Sequence, residues 1–175
     1  DYYFNLKWAD YIGWDSGVST WDLQRKNDIE KFKSMVIQSN RLFKDDKLDY
    51  DWGGYWYRAI GYEAPTKAIN YKGITESNWV YLYQPPEVWV PNAFTVNNDK
   101  LNEVWGTVPI FVKGYSMKVY DRWGQKIWES FDKKRQWDGT INGVQVQDGV
   151  YAWLLSFDGW NDKRYQKTGT VMVLH

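Results

Sequence analysis

Apolar and polar side chains alternate most clearly in residues 115–130. Met117 and Val119 stand between more polar neighbours, and Ile127 does the same further along the chain. Segments of this kind can bury one face and leave the other in water, which is typical of β-strands. Between them, residues 121–124 read Asp-Arg-Trp-Gly, with Asp at the first and Gly at the fourth position favoured in a type I turn. The pattern predicts a β-hairpin whose tip is residues 121–124.

Further strands are predicted on both sides of this hairpin. They cover residues 88–90, part of 108–112, 149–157 and 168–174. The polar segment 158–164 is predicted to join the last two strands into a second hairpin. The C-terminal half is therefore predicted to be a small antiparallel β-module.

The N-terminal half is also a series of short alternating segments separated by turn residues. Strands are predicted at residues 6–8, 18–25, 32–37, 55–60 and 78–83, and the polar segment 45–49 is predicted to be a solvated loop. Short strands with a turn about every 8–12 residues are typical of a sandwich of the immunoglobulin-like kind. The predicted fold class is all-β, with two tandem antiparallel β-sandwich (immunoglobulin-like) domains.

A proline pair divides the two halves. Gln84-Pro85-Pro86-Glu87 holds the chain extended, because neither proline can donate a hydrogen bond to a sheet. The predicted domains are residues 1–84 and 88–175, joined by a proline-rich linker at 85–87. Within the first domain, residues 6–8, the strand around Trp21 and residues 55–59 resemble strands B, C and F of a fibronectin type III-like domain.

Composition and charge exclude several kinds of function. The chain has 22 basic and 22 acidic residues, so nothing steers it toward nucleic acid or an anionic membrane. It has no cysteine, and its one histidine, His175, cannot build a catalytic triad or an ordinary zinc site. There is no run of about 20 apolar residues that could span a membrane. Because the chain begins with a strand already under way, we expect it to be the C-terminal piece of a longer protein.

Five short motifs follow one another in the C-terminal half. They are Val90-Pro91-Asn92-Ala93-Phe94-Thr95, Tyr120-Asp121-Arg122-Trp123-Gly124, Trp137-Asp138-Gly139-Thr140, Gly149-Val150-Tyr151 and Gly169-Thr170-Val171. In this order and spacing they resemble the gliding-motility-associated C-terminal domain, also described as the type B sorting domain of the type IX secretion system. The resemblance covers roughly residues 87–175, nearly all of the second half.

The resemblance implies a sorting signal that also attaches the protein to the cell surface. It implies recognition by the type IX secretion translocon, by a shuttle barrel of the PorV type and by an outer-membrane barrel of the PorP/SprF type. It also implies a secreted protein that is retained at the outer-membrane surface of a Gram-negative gliding-type bacterium. A fibronectin-like module before such a domain is similar to the C-terminal part of SprB-like surface adhesins.

One segment departs from the family pattern. After Pro-Asn-x-Phe the family continues with a run like Thr-Pro-Asn-Gly-Asp-Gly-x-Asn-Asp, whereas residues 95–103 here lack that proline and both glycines. Oxygen-bearing side chains remain at Asn97, Asp99, Asn102 and Glu103, and hard oxygen donors at short spacing are what Ca²⁺ takes. Asx-rich loops also hydrogen-bond their own backbone. We therefore predict no cofactor, with Ca²⁺ at these four residues as the alternative.

Two regions are candidates for partner binding. Arg122 and Trp123 at the hairpin tip are residue types that dominate interfaces, although Trp123 could instead fold back on the sheet with Arg122 stacked on it. The last strand could lie at a sheet edge and add to a partner's sheet, or could simply close the fold. Its residues are Thr170, Val171, Met172, Val173, Leu174 and His175. Trp137 is predicted to be a core residue, and Gly149 and Gly169 to serve turns or bulges.

Two other classes of function remain open. A carbohydrate-binding module would stack sugar rings on exposed aromatic side chains. The candidates are Trp14, Trp21, Trp52, Trp56, Trp79, Trp153 and Trp160, of which Trp14, Trp52 and Trp160 lie in loop-like stretches. An enzyme would need a nucleophile, a phosphate loop or a facing pair of carboxylates, and acids such as Asp138 and Asp158 occur at turns instead. We therefore expect the protein not to be an enzyme.

Overall fold

The chain is built from β-strands. The computed structural model describes residues 2–66, 73–97 and 99–175, and in these ranges it contains sixteen strands and no helix. Consequently none of the described segments is a helix long and apolar enough to cross a membrane. The all-β prediction is confirmed. Contacts divide the chain into two compact units, of which unit 1 runs to Leu48 and resumes at Gly54–Gln84, and unit 2 contains Asp49–Gly53 and Pro85–His175.

Unit 1 contains two sheets. Its strands are β1 (Phe4–Lys7), β2 (Val18–Lys26), β3 (Lys33–Gln38), β4 (Leu42–Asp45), β5 (Gly54–Glu63), β6 (Ile74–Glu76) and β7 (Val80–Tyr83). The larger sheet has the order β3-β2-β5-β6, and β7 also pairs with β5. The smaller sheet is the antiparallel pair β1-β4. Phe4 of β1 packs against Tyr55 and Tyr57 of β5, so the two sheets share one interior.

The predicted solvated loop at residues 45–49 is wrong at its first residue. Asp45 ends β4 and is only 1% exposed. Its carboxylate accepts hydrogen bonds from the Arg25 guanidinium and the Tyr57 hydroxyl, both at 2.7 Å. A buried carboxylate needs such partners because it has left water. Strand β4 itself was missed, since its sequence Leu-Phe-Lys-Asp is short and ends in a charged residue.

Unit 2 has a five-stranded sheet and smaller pairs. Its strands are β8 (Glu87–Trp89), β9 (Ala93–Thr95), β10 (Val108–Ile110), β11 (Val112–Tyr120), β12 (Lys126–Ser130), β13 (Thr140–Ile141), β14 (Val144–Gln145), β15 (Gly149–Gly159) and β16 (Arg164–Leu174). The large sheet has the order β12-β11-β15-β16-β9, whereas β8 pairs with β10 and β13 with β14. Both predicted hairpins, β11-β12 and β15-β16, are confirmed.

The first strand of unit 2 changes sheets. Strand β8 pairs with β10, and after Pro91 and Asn92 the chain continues as β9 on the edge of the large sheet. Proline suits this change because it cannot extend a ladder. Strand β9 runs parallel to β16, with Phe94 opposite Val173. This pair is an exception to the predicted antiparallel arrangement.

The core of unit 2 lies between the large sheet and the segments opposite it. Val119, Leu155, Val171 and Val173 project from the sheet and are completely buried. Phe94 of β9 belongs to the same layer, and Trp105, Trp137, Val88 and Val146 pack against it from the other elements. Alternate residues of the long strands therefore bury one face, which is the pattern that predicted them.

A short segment from earlier in the chain completes unit 2. Trp52 packs on Trp160 with ring centroids 4.2 Å apart, and the Phe111 N–H donates to the Tyr50 carbonyl at 2.7 Å. Asp51 forms ion pairs with Lys133 and Lys134, and the pairing with Lys133 lowers the pKa of Asp51. Unit 2 is therefore discontinuous in sequence.

Candidate functional site

The tip of the β11-β12 hairpin is a tight turn closed by Asp121. Its carboxylate accepts the N–H groups of Trp123 and Gln125, both at 2.9 Å. The Gly124 N–H donates to the Asp121 carbonyl at 3.1 Å, and Gly124 has φ +82°. A positive φ favours glycine, and the Asp side chain caps the turn as its position predicted. Asp121 and Gly124 thus serve the shape of the turn.

Arg122 and Trp123 project from this turn into solvent. Trp123 is 81% exposed, and the guanidinium carbon of Arg122 lies 5.2 Å from the centroid of its ring. The stacking of Arg122 on Trp123 is therefore found, but the indole does not fold back on the sheet. Among the residues that the structure describes, neither side chain has a hydrogen bond or an ion pair. Their positions are not explained by the stability of the turn.

An open pocket lies beside these two side chains. It has a volume of about 600 Å³ and brings together two of the sequence motifs, residues 120–124 and 149–151, with the hairpin that lies between them in sequence. The lining residues are Asp121, Arg122, Trp123, Ile141, Gln145, Val146, Gln147, Gly149, Val150 and Tyr151. We call this the motif pocket. It has an aromatic and cationic rim at Arg122 and Trp123 and a mixed wall of amide and aliphatic side chains.

Tyr151 forms the inner wall of the motif pocket. Its ring packs edge-on against Trp137 with centroids 5.6 Å apart, and its hydroxyl donates to the Gln147 carbonyl at 2.8 Å. Burial raises the pKa of Tyr151, while the positive charge of Arg122 acts in the opposite direction. Tyr151 therefore joins the exposed rim to the core of unit 2.

The motif at residues 137–140 lies behind the pocket and is structural. Trp137 has no exposed surface, and its indole N–H donates to the Thr140 carbonyl at 3.0 Å. Asp138 caps the turn by accepting the Thr140 N–H at 3.0 Å, and Gly139 has φ +73°. The prediction that Trp137 is a core residue is confirmed.

The motif at residues 90–95 holds the edge of the large sheet. The Pro91 carbonyl accepts the indole N–H of Trp105 at 2.7 Å, and the Asn92 carbonyl accepts the Met172 N–H at 2.8 Å. Phe94 is buried, with its ring centroid 5.6 Å from that of Trp137. These three motif residues therefore support the fold and do not reach the motif pocket.

The two motif glycines have different roles. Gly149 begins β15 and lines the motif pocket. Gly169 lies within β16 directly opposite Trp153, and a Cβ atom there would come 2.5 Å from the Trp153 ring. The expected turn or bulge at Gly169 is therefore wrong, because the residue is in a regular strand and makes room for an indole.

The last strand lies inside the sheet where it ends. Met172 and Val173 pair with β15 on one side and with β9 on the other, and Leu174 pairs with β9. Val171 and Val173 belong to the core. Thr170, Met172 and Leu174 face outward. His175 contacts the carboxylate of Asp148 through its Nδ1. In the part of the chain that the structure describes, the side of β16 opposite β15 has no strand partner from Arg164 to Val171.

The loop predicted to hold Ca²⁺ as an alternative is closed by its own hydrogen bonds. Asp99 accepts the Leu101 N–H at 2.7 Å, Glu103 accepts the Lys100 N–H at 3.2 Å, and the Asn97 side chain donates to Asp99. Asn102 has φ +53° and its carbonyl accepts the Thr95 N–H. Within residues 2–66, 73–97 and 99–175, no group of three or more acidic or histidine side chains is placed to hold a metal ion. Calcium binding stays a prediction, and isothermal titration with Ca²⁺ would test it.

The tryptophans considered for sugar binding lie in several environments. Trp21 and Trp160 are buried, and Trp52 lies against Trp160. Trp14 packs on Tyr11, and Trp153 covers Gly169. Lys26 and Arg58 lie over the ring of Trp79 at 4.6 and 4.8 Å, whereas Trp56 packs on Tyr81. Carbohydrate binding stays a prediction, with fewer accessible rings than the sequence indicated.

Sequence reasoning missed the hairpin that forms one wall of the motif pocket. Strands β13 and β14 are joined by Asn142 and Gly143, which have φ values of +55° and +81°. Asn-Gly between two apolar residues is the strongest short signal for a two-residue hairpin. That signal at residues 141–144 would have found Ile141 and Gln145, which line the pocket. Trp105 was also missed, because a single tryptophan in a loop carries no periodic pattern.

Comparison with known proteins agrees with the motifs. The family described as the CHU_C type IX secretion signal domain matches residues 88–173. This range contains the motif pocket, both hairpins of the large sheet and all five motifs. No curated protein matches the chain at a significant level.

Proposed function

Residues 88–173 belong to the CHU_C family of type IX secretion signal domains, and we propose that the motif pocket is the surface by which this signal is recognised. The signal domain assigns the chain a role in sorting to secretion. On unit 2, recognition would take place at the motif pocket. Its partners would be the type IX translocon and a PorV-type shuttle barrel.

The observation that carries the proposal is the division of the motif residues into two groups. Phe94, Trp137 and Gly169 serve the core, and Asp121 and Gly124 shape the turn, as their contacts show. Arg122 and Trp123 belong to the same motif as the turn residues, yet they are exposed and their side chains form no hydrogen bond or ion pair within the described structure. A motif position that folding does not require is best explained by binding.

The chemistry of the exposed pair fits an interface. Arg and Trp are enriched among residues that dominate binding energy, because they combine a large apolar surface with hydrogen-bonding capacity. The guanidinium is stacked and therefore pre-ordered, which reduces the entropy lost when a partner binds. The pocket wall beyond it offers the Gln145 and Gln147 amides and the aliphatic Ile141 and Val150.

Beyond sorting, we propose that the chain is the C-terminal region of a surface adhesin. After transport it would stay attached at the outer membrane of a gliding-type bacterium through a PorP/SprF-type barrel. The fibronectin type III-like interpretation of unit 1 supports this proposal, because a fibronectin-like module before such a sorting domain is similar to the C-terminal part of SprB-like surface adhesins. The role is one of binding and not of catalysis.

Export of a reporter tests the pocket. The full chain, fused behind an exported fluorescent protein, is expressed in a bacterium that has the type IX machinery. The double variant Arg122→Ala/Trp123→Ala should leave most of the reporter in the periplasm, because interface residues of this kind are worth about 2 kcal/mol or more, or roughly 30-fold in affinity. The matched control is Trp89→Ala, which also removes an exposed tryptophan of unit 2, one that is 63% exposed and does not line the pocket.

Two further measurements complete this experiment. Thermal unfolding of the purified variants should be unchanged, which separates lost recognition from lost folding. Pull-down from solubilised outer membranes with the full chain should retain a barrel protein that the double variant fails to retain. Normal surface display of the double variant would overturn the proposal.

A role of the last strand in recognition has to be tested with substitutions and not with a truncation. Removing Val171–His175 would also remove Val171 and Val173 from the core, so loss of export would not distinguish recognition from unfolding. Met172→Ser/Leu174→Ser changes only outward-facing side chains. Export blocked by this variant, with unfolding unchanged, would extend the recognised surface to the last strand.

The carbohydrate-binding alternative rests on unit 1. Tyr83 is partly exposed and continues the contact between Trp56 and Tyr81, with centroids of the two tyrosine rings 6.3 Å apart. Tryptophan fluorescence of the full chain, titrated with a polysaccharide panel, tests this alternative. A change abolished by Trp56→Ala would support it, and an unchanged signal with every polysaccharide would remove it.

A further inference from the structure

The two sheets of unit 1 differ in size. The smaller sheet has the two strands β1 and β4, whereas the sheet against which it packs has five, namely β2, β3, β5, β6 and β7. Trp8, just after β1, packs on Trp21 with ring centroids 6.3 Å apart. Within the described ranges, no strand lies beside β1 on the side opposite β4, and we call this its open side. Just before β1, the Gln84 side chain donates to the Tyr3 carbonyl at 3.0 Å.

Strand β1 presents unpaired backbone groups on this open side. The Trp8 N–H donates to the Arg41 carbonyl at 3.4 Å, so Trp8 and Leu6 direct their backbone groups toward the β4 side. In a strand, successive residues point their N–H and C=O groups in opposite directions. Asn5 and Lys7 therefore point away from β4, and in the described ranges no strand pairs with them there.

An apolar cleft runs beneath this edge. It has a volume of about 240 Å³ and is lined by Leu6, Trp8, Leu23, Ala59, Val80 and Leu82, among others. Val80 lies opposite the buried Tyr57 in the β5-β7 pair, yet it is 48% exposed because nothing in the described structure covers it. The Trp8 indole N–H is buried and has no hydrogen-bond acceptor. The cleft thus offers apolar surface and one unused donor.

Lys7 places a positive charge at this edge, since it is exposed and forms no ion pair within the described residues. Lys44 lies on β4, the closed side of β1, and is 4.0 Å from the Asp46 carboxylate. An acidic side chain placed across from Lys7 on an adjacent strand would gain a favourable cross-strand pair.

We propose that unit 1 binds an extended segment of a partner protein, which adds as a third strand beside β1. Its backbone pairs with the N–H and C=O groups of Asn5 and Lys7. Its apolar side chains, at alternate positions, enter the cleft below Leu6 and Val80, and an acidic side chain faces Lys7. Strand β1 spans about 13 Å, so the contact needs four to six residues of the partner. This binding is independent of the signal in unit 2.

Hydrogen exchange of the full chain tests the proposal with a synthetic probe. The probe is a short peptide that alternates valine with glutamate, and the control peptide alternates valine with lysine. The valine–glutamate peptide should slow exchange of the Asn5 and Lys7 amides at least tenfold, while exchange of the Leu6 amide changes much less. It should also change the fluorescence of Trp8 in the cleft.

Matched variants identify the contacts. Asn5→Pro removes the outward N–H and should lower the affinity for the peptide at least tenfold, whereas Asn5→Ser, which keeps that N–H, should bind normally. Lys7→Glu should reverse the preference in favour of the valine–lysine peptide. Val80→Asp places a charge in the cleft and should abolish binding even if Asn5→Pro perturbs β1.

Three results would overturn the proposal. One is unchanged exchange of both amides at millimolar peptide. Another is protection of these amides in the chain alone at every concentration, which would mean that the chain covers its own edge. The third is protection that rises with protein concentration together with a dimeric mass, which would assign the edge to a second copy of the chain.

Discussion

The interiors of the two units are built from different kinds of side chain. Among the described residues, the buried polar or charged side chains of unit 1 are Asp22, Gln24, Arg25 and Asp45, whereas unit 2 has only Ser130. The core of unit 2 is otherwise apolar and is centred on Trp105 and Trp137. The two units therefore reach the same fold class by different means.

The buried charged side chains of unit 1 stabilise it only while all of their hydrogen-bond partners are present. The Asp45 carboxylate accepts hydrogen bonds from Arg25 and Tyr57, and the guanidinium of Arg25 also lies 4.7 Å from the centroid of the Tyr55 ring. Burying charge costs free energy, and a buried pair offsets that cost only while every partner is present. The interior of unit 1 should therefore be sensitive to the removal of a single partner.

At the centre of the unit 2 core, two indole N–H groups are satisfied by the backbone. The indole N–H groups of Trp105 and Trp137 donate to the carbonyls of Pro91 and Thr140. The rest of the core is aliphatic or aromatic, so its stability depends on volume and shape. Unit 1 is therefore vulnerable to the loss of a polar partner, and unit 2 to changes in packing.

The largest expected effect is in unit 1. Asp45→Ala leaves the guanidinium of Arg25 buried without its carboxylate, and should lower the free energy of unfolding of this unit by about 3–5 kcal/mol. Chemical denaturation followed by tryptophan fluorescence measures it. Asp46→Ala, next to it but exposed, should change the free energy by less than about 0.5 kcal/mol. Equal effects of the two variants would show that the buried Asp45 carboxylate is not essential to the interior of unit 1.

The second prediction concerns Tyr57 and has a pH dependence. Burial, followed by the hydrogen bond to Asp45, raises the pKa of Tyr57. The stability gained from the neutral hydroxyl is thus fully present below the unfolded pKa of about 10 and is lost as pH rises above it. Tyr57→Phe should cost about 1.5–3 kcal/mol at pH 7, and the difference from the parent chain should narrow above about pH 10.

Its control is Tyr83→Phe, since Tyr83 is 46% exposed. That variant should match the parent chain in both stability and pH dependence. A difference between Tyr57→Phe and the parent chain that stays constant up to about pH 11, one unit above the ordinary tyrosine pKa, would contradict the role given to the hydroxyl.

The smallest of these effects belongs to unit 2 and tests packing. Gly169→Ala introduces a Cβ atom 2.5 Å from the Trp153 ring and should destabilise the unit by about 1–3 kcal/mol. Trp153→Leu in the same chain should recover much of that loss, giving a measurable coupling in a double-mutant cycle. Thr168→Ala, at an exposed position of the same strand, serves as the control. Additive effects of Gly169→Ala and Trp153→Leu would show that the ring is not the reason for the glycine.

The alternation of side chains determined much of unit 2. It placed the hairpin at residues 121–124 and the strands β15 and β16, because a half-buried strand imposes a two-residue period on its sequence. The five motifs, through their order and spacing alone, also indicated the secretion family. In unit 1 the same alternation found β2, β3 and β5 but gave no sign that Asp45 is buried.

Other features depend on contacts between residues far apart in sequence, which no local pattern encodes. Asp45 reads as a solvated residue until Arg25 and Tyr57 are brought to it, and Gly169 reads as a turn until Trp153 lies opposite. For Trp123 the sequence left two alternatives, an exposed anchor or an indole folded back on the sheet, and the structure places it exposed beside the motif pocket. The local sequence indicates which face of a strand is apolar and will be buried. Which residues pack against that face is decided by tertiary contacts between distant parts of the chain.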